Sequence, residues 1–139
     1  MKGKEYYDNG ELLFDGEYSN GERWNGKRKE YYKNGELKFD GEYSNGKRWK
    51  GKEYYNNGVL EFEGEYLNGE RNGKGKEYFK DGELKFEGEY LNGKIWNGKG
   101  KEYNDDGKLL FEGEYLNGEK QKKGILDFLK IDNILKSIK

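Results

Sequence analysis

Apolar and polar residues alternate along most of this chain. In Leu37-Lys38-Phe39-Asp40-Gly41-Glu42-Tyr43, one set of alternate positions holds Leu, Phe, Gly and Tyr, and the other holds Lys, Asp and Glu. A period of two sends the two sets to opposite faces of a β-strand. The run recurs. Gly-Glu-Tyr triplets begin at Gly16, Gly41, Gly64, Gly88 and Gly113, in steps of 25, 23, 24 and 25 residues. A second marker, Lys-Glu-Tyr, keeps phase with them at Glu5, Glu30, Glu53, Glu77 and Glu102. A fixed period of this size signals a repeat array in which each unit packs on its neighbours.

Each unit predicts two strands. Asn-Gly or Asp-Gly between alternating runs is the strongest short-range hairpin signal, because both residues tolerate positive φ. Such pairs close a first turn at Asn9-Gly10, Asn34-Gly35, Asn57-Gly58, Asp81-Gly82 and Asp106-Gly107. A second series stands at Asn20-Gly21, Asn45-Gly46, Asn68-Gly69, Asn92-Gly93 and Asn117-Gly118. The expected fold is therefore all-β: an elongated antiparallel hairpin meander of about ten short strands over residues 1–119. Glycine weakens a strand interior, so the in-phase Gly16, Gly41, Gly64, Gly88 and Gly113 imply close approach, with an aromatic ring from a neighbouring strand lying over the missing side chain. On the polar face, Lys and Glu would pair across strands.

From Lys120 the pattern changes. Ile125, Phe128, Leu129, Leu135 and Ile138, with Ile131 and Ile134 alongside, fall at helical spacing. Residues 120–139 therefore predict an amphipathic α-helix that caps the open end of the sheet or binds a partner.

Composition sharpens this picture. Charged residues are 40% of the 139, and Leu, Ile, Val and Phe together are just under a fifth, a level that usually accompanies disorder. Balanced charge (net −1) and 17% aromatics argue for a fold instead. Tyr and Phe bury about 150–250 Å² each, so a few rings replace many aliphatics. Without Cys or His there is no disulfide framework, no Cys/His zinc site, and no histidine base or cysteine nucleophile. Carboxylate pairs such as Glu63/Glu65 and Glu87/Glu89 occur in every unit, whereas an active site needs one distinctive pair. No catalytic residue, cofactor or metal is expected. Balanced charge offers no field for nucleic acid, so none is expected as a direct partner. The apolar runs are too short for a membrane span, and the beginning of the chain shows no secretory leader, which makes a cytoplasmic location the expectation.

The units Phe86-Glu87-Gly88-Glu89-Tyr90-Leu91-Asn92-Gly93 and Asn97-Gly98-Lys99-Gly100 resemble the MORN repeat, whose pattern is Tyr/Phe-x-Gly-x-x-x-Asn-Gly-x-x-x-Gly-x-Gly. The Lys-Glu-Tyr-Tyr-x-Asn-Gly-x-Leu units resemble still more the bacterial variant of that repeat. The resemblance covers about 115 residues and recurs five times. The Gly-x-Gly pair is intact only at Gly73/Gly75 and Gly98/Gly100. The resemblance implies a hairpin array that acts as a scaffold or protein-binding surface. Some such arrays are credited with phospholipid binding, and bacterial variant proteins are often described as antitoxin components.

Two sets of residues are candidate contacts. The segments after the second turn carry Arg23-Trp24, Arg48-Trp49 and Ile95-Trp96, while the third has no Trp. As edge loops they would form a broken Trp/Arg stripe, and Trp and Arg dominate interface hot spots. Alternatively, each Trp covers its own hairpin. Before the second Asn-Gly stand Ser19 and Ser44, then Leu67, Leu91 and Leu116, an apolar row that would pack on the terminal helix through Phe128 and Leu129 or meet a partner. The expected function is a non-catalytic scaffold that binds another protein through its aromatic face and its Trp/Arg loops. A stand-alone inhibitor that blocks a toxin or nuclease, and a phospholipid or carbohydrate module, are the alternatives. A membrane-surface contact and a homodimer stay open.

Overall fold

The computed structural model describes residues 1–121, so the helix expected over 120–139, with Phe128 and Leu129, lies outside the described residues except for its first two positions. The described chain forms one open antiparallel sheet in which every strand pairs with its sequence neighbours. The strands are β1 (Lys2–Tyr6), β2 (Leu12–Ser19), β3 (Glu22–Tyr31), β4 (Leu37–Ser44), β5 (Lys47–Tyr54), β6 (Leu60–Leu67), β7 (Glu70–Tyr78), β8 (Leu84–Leu91), β9 (Lys94–Tyr103), β10 (Leu109–Leu116) and β11 (Glu119–Lys120). The eleventh strand goes beyond the expected ten: Lys120 pairs with Tyr115 and so belongs to the sheet.

The two turn series differ physically. In the second, both residues are left-handed, as at Asn20 (φ +52) and Gly21 (φ +79), which is the type I′ hairpin that Asn-Gly favours. In the first, only the glycine is, for example Gly10 at φ +88. There the chain makes a five-residue loop in which the Tyr7 N–H donates to the Glu11 carbonyl at 2.8 Å and the Asn9 side chain accepts from Glu11 N–H. The first series therefore lines one edge of the sheet with broad loops, and the second lines the other with tight turns.

The core is one layer of rings. Phe14, Phe39, Phe62 and Phe86 are fully buried although, among the described residues, no second layer covers the sheet. Below Phe39, Phe62 and Phe86 lie glycines: a Cβ built at Gly51 would stand 2.8 Å from the Phe39 ring. The ring over Gly41 belongs to its own strand, two residues back, while the rings over Gly51 and Gly75 come from the neighbouring strand. Tyrosines fill the spaces between the phenylalanines edge to face. Tyr66 meets Phe39 and Phe62 at 6.1 and 5.6 Å, and Tyr90 meets Phe62 and Phe86 at 5.2 and 5.3 Å. Each such pair contributes about 0.5–1.5 kcal/mol beyond its buried area.

The opposite face is a ladder of charge. Lys52 stands opposite Asp40 on one side and Glu63 on the other; Lys76 stands between Glu63 and Glu87, and Lys99 between Glu87 and Glu114. Acidic and basic strands alternate across the sheet.

Register distinguishes the units. In β3, Gly26 faces Gly16 but Arg28 faces Gly41; in β9, Gly98 faces Gly88 but Gly100 faces Gly113. These ten-residue strands shift their two neighbours by two residues. In the eight-residue β5, Gly51 faces both Gly41 and Gly64, so that shift is missing.

Candidate binding edge

The residues singled out as Trp/Arg loops are strand residues. Opposite β2, Glu17 pairs with Asn25 and Tyr18 with Arg23, so Trp24 is the extra residue of a β-bulge. Trp49 and Trp96 occupy the same position in β5 and β9. A bulge re-aims a side chain that simple alternation would assign to a face.

Arg23 and Arg48 therefore do not flank an open Trp stripe. Both reach onto the aromatic face and are used there. Arg23 donates to Glu5 through two nitrogens, at 2.6 and 3.0 Å, and Tyr18 donates to the same carboxylate at 2.8 Å. The Arg48 guanidinium lies 4.0 Å over the Phe39 ring and donates to Glu30 at 2.7 Å. In the next units the position is held by Arg71 over Phe62, by Ile95, and by Lys120, which pairs with Glu102. A column of cations thus covers the ring layer, and a column of glutamates (Glu5, Glu30, Glu53, Glu77, Glu102) holds the cations in place. Among the described residues, the phenylalanine rings of the aromatic face are thus covered by its own side chains. Ile95 likewise packs against the core.

The electrostatics follow from these pairs. The hydrogen bond from Arg23 holds the Glu5 carboxyl below its ordinary range against the opposing effect of burial, and Lys120 does the same for Glu102. Burial, the hydrogen bond to Glu53 and the charge of Glu53 push Tyr66 well above a normal phenol. Burial and then Glu77 raise Tyr90, whose hydroxyl is buried without a hydrogen-bond partner; Glu77 turns to Arg71, and Ile95 stands where the other units place a cation. Tyr115 is pushed up to about 12, by burial first and then Glu102.

The turn edge is built differently. At Asn45-Gly46, the Asn45 N–H donates to Asn25 Oδ1 at 2.9 Å and the Gly46 N–H donates to the Trp24 carbonyl at 2.8 Å. The Trp24 ring lies along the same turn, about 3.4 Å from a Cβ built on Gly46. Asn92-Gly93 is tethered by Asn72 and Arg71, and Asn117-Gly118 by Asn97 and Trp96. Trp24 and Trp96 thus brace the next hairpin while leaving part of each ring at the edge. Leu67, Leu91 and Leu116 stand beside these turns, 57%, 40% and 54% exposed. The edge also has a shallow pocket, between Leu91, Ile95, Trp96 and the Asn117-Gly118 turn. Sequence reasoning missed Asn25, Asn72 and Asn97, although the recurring Asn-Gly after the bulge is a visible signal. It also missed the glutamate column, which the in-phase Lys-Glu-Tyr marker carries.

Among the described residues, no group of three or more acidic side chains converges to hold a metal ion, and no helix is long and apolar enough to cross a membrane. A single open sheet of repeated hairpins with an apolar turn edge makes this a β-hairpin repeat protein. The family model for the MORN repeat variant matches residues 1–20, 24–45, 50–68, 71–95 and 96–117, and the chain belongs to that family. The search of curated proteins gave no match.

Proposed function

We propose that this protein is a non-catalytic module that binds another protein along the edge formed by the Asn-Gly turns. The carrying observation is where apolar surface is left uncovered. The phenylalanines are closed in by tyrosine and arginine, and the charged face answers its own charges in ladders such as Lys76–Glu87 at 3.8 Å. The turn edge keeps Trp24, Trp49, Leu67, Leu91 and Leu116 in contact with solvent. Tyr6, Leu84 and Leu110 are exposed toward the edge of the broad loops but belong to no matching row. A repeated row of large apolar side chains rimmed by Lys and Glu is the composition of a protein contact, in which a few aromatic and aliphatic anchors dominate.

The test compares three forms of the full chain as bait under identical conditions. The edge variant carries Trp49→Ala, Leu67→Ser, Leu91→Ser and Leu116→Ser; the face variant carries Lys52→Ser, Glu63→Ser and Lys76→Ser. The reading expects a protein retained by the wild type and the face variant and lost from the edge variant. Retention by the edge variant with loss from the face variant would place the contact on the ladder instead.

A further inference from the structure

One turn of the edge is unlike its neighbours. At Asn45-Gly46, Asn92-Gly93 and Asn117-Gly118, both turn N–H groups are taken by the preceding unit, one by an Asn side chain and one by a backbone carbonyl. At Asn68-Gly69 neither tether exists. The preceding strand, β5, has Lys50 where Asn25 and Asn97 stand, and it lacks the two residues that give β3 and β9 their shift. The β5–β6 ladder begins only at Lys50 and Glu65, whereas β3–β4 begins at Gly26 and Tyr43, so the segment that should reach the turn stops short. Among the described residues, nothing stands within 4 Å of a Cβ built on Gly69, and neither Asn68 nor Gly69 donates a backbone hydrogen bond.

Around this gap lie unsatisfied donors and exposed apolar groups of one kind of complement. Trp49 is the most exposed tryptophan, at 43%, and Leu67 is still more exposed. The Lys50 ammonium sits 4.6 Å over the Trp49 ring and is half exposed, 3.6 Å from Glu42. Two adjacent N–H donors and a lysine ask for oxygen acceptors with negative charge. The other turns show the shape of the acceptor: an extended segment that offers a backbone carbonyl and, beside it, a side-chain oxygen.

We infer that the Asn68-Gly69 turn with Trp49, Lys50 and Leu67 is a docking notch for an extended acidic segment of a partner protein. The inference rests on the turn edge being the contact surface. The partner's carbonyl and carboxylate oxygens take the places that Trp24 O and Asn25 Oδ1 hold at the next turn; Lys50 meets the carboxylate, and an apolar neighbour covers Trp49 and Leu67. With Lys50 in the asparagine position and the β5–β6 ladder stopping at Lys50, this turn is open where the Asn45, Asn92 and Asn117 turns are closed.

The probe is the blocked peptide acetyl-Gly-Leu-Glu-Leu-Glu-Leu-Gly-amide, titrated into the 15N-labelled full chain. Saturable shifts are expected at the Asn68 and Gly69 amides and the Trp49 indole, with little movement at Asn45, Gly46, Asn92 and Gly93. The Gln-for-Glu peptide should bind roughly tenfold more weakly, the loss of one charge-assisted contact. Converting β5 to the β3 pattern, by Lys50→Asn with Arg-Lys inserted after Lys52, should close the notch and abolish the shifts. If that variant does not fold, Lys50→Glu should weaken binding in its place. The inference is overturned by no saturable shift at millimolar peptide, by equal shifts at the Asn45, Asn68 and Asn92 turns, by an equally tight Gln peptide, or by insensitivity to Lys50→Glu. Binding to phosphatidylserine vesicles without a peptide response would also overturn it, in favour of a lipid site. If the peptide fails while a partner is still lost with Leu91→Ser and Leu116→Ser, only the notch is wrong; if no variant of the edge alters partner capture, the edge reading itself falls.

Discussion

The Arg71 guanidinium lies 4.2 Å over the Phe62 ring and donates at once to Glu53, Glu61 and Glu77, at 3.0, 3.3 and 2.9 Å. One side chain thus covers a core ring and ties three strands. It replaces the second layer that an open sheet would otherwise need.

Arg71→Ala should be among the most destabilising single changes at a charged position. It uncovers Phe62 and leaves Glu53, Glu61 and Glu77 without the guanidinium they share. A loss of about 2–4 kcal/mol is expected in urea unfolding, toward the value for breaking a buried pair. Arg23→Ala, which breaks a more exposed pair with Glu5, should cost no more than about 1 kcal/mol. Equal losses would show that the arginine column does not cover the rings.

Two tyrosines of the ring layer should respond oppositely to losing their hydroxyls. Tyr66 donates to Glu53 at 2.7 Å, so Tyr66→Phe should cost about 1 kcal/mol. The Tyr90 hydroxyl is buried without an acceptor, so Tyr90→Phe should be neutral or stabilising. Thermal melts of the two variants at pH 7 make the comparison, and a Tyr90→Phe loss as large as that of Tyr66→Phe would refute it.

Acid should loosen the array from its glutamate column. Glu5 and Glu102 have lowered values in the folded chain, held down first by hydrogen bonds from Arg23 and Lys120. A lowered folded value stabilises above the unfolded glutamate value of about 4.3 and is lost as pH falls through the folded value. Unfolding free energy should therefore fall below about pH 4.3, and Glu5→Gln with Glu102→Gln should flatten that part of the curve. An unchanged acid limb in the double variant would assign the pH dependence elsewhere.

The tryptophans should separate into a brace and a contact. Trp24 packs along the Asn45-Gly46 turn, so Trp24→Ala should lower stability by about 1 kcal/mol or more through lost packing. Trp49 has no tethered turn beside it and is more exposed, so Trp49→Ala should leave the melt within about 0.5 kcal/mol of wild type. The reverse order would place the structural role in β5.

Much of this protein is legible in its residues taken in order. The phase of Phe39, Gly41 and Tyr43 predicts which side chains share the ring face, because strand geometry fixes alternation. The Asn-Gly pairs predict both series of turns, because positive φ is a local property. What stayed hidden is what depends on neighbours about 20 residues away. Trp24 and Arg23 read as a loop pair, yet the bulge opposite Tyr18 puts Arg23 on Glu5 and Trp24 on the next turn. The short β5 reads as ordinary length variation, yet Lys50 stands in the asparagine position, the ladder to β6 stops there, and Asn68-Gly69 is left untethered.

The sequence by itself therefore determined five hairpins, two faces and the absence of histidine and cysteine chemistry. Periodicity and turn propensity act within a few residues and need no tertiary context. Only the tertiary structure decided that arginines cover the phenylalanines, that the tryptophans are bulge residues, and that the Asn68-Gly69 turn lacks the tethers of the turns on either side of it. Those features arise from cross-strand register, which each repeat receives from the unit before it.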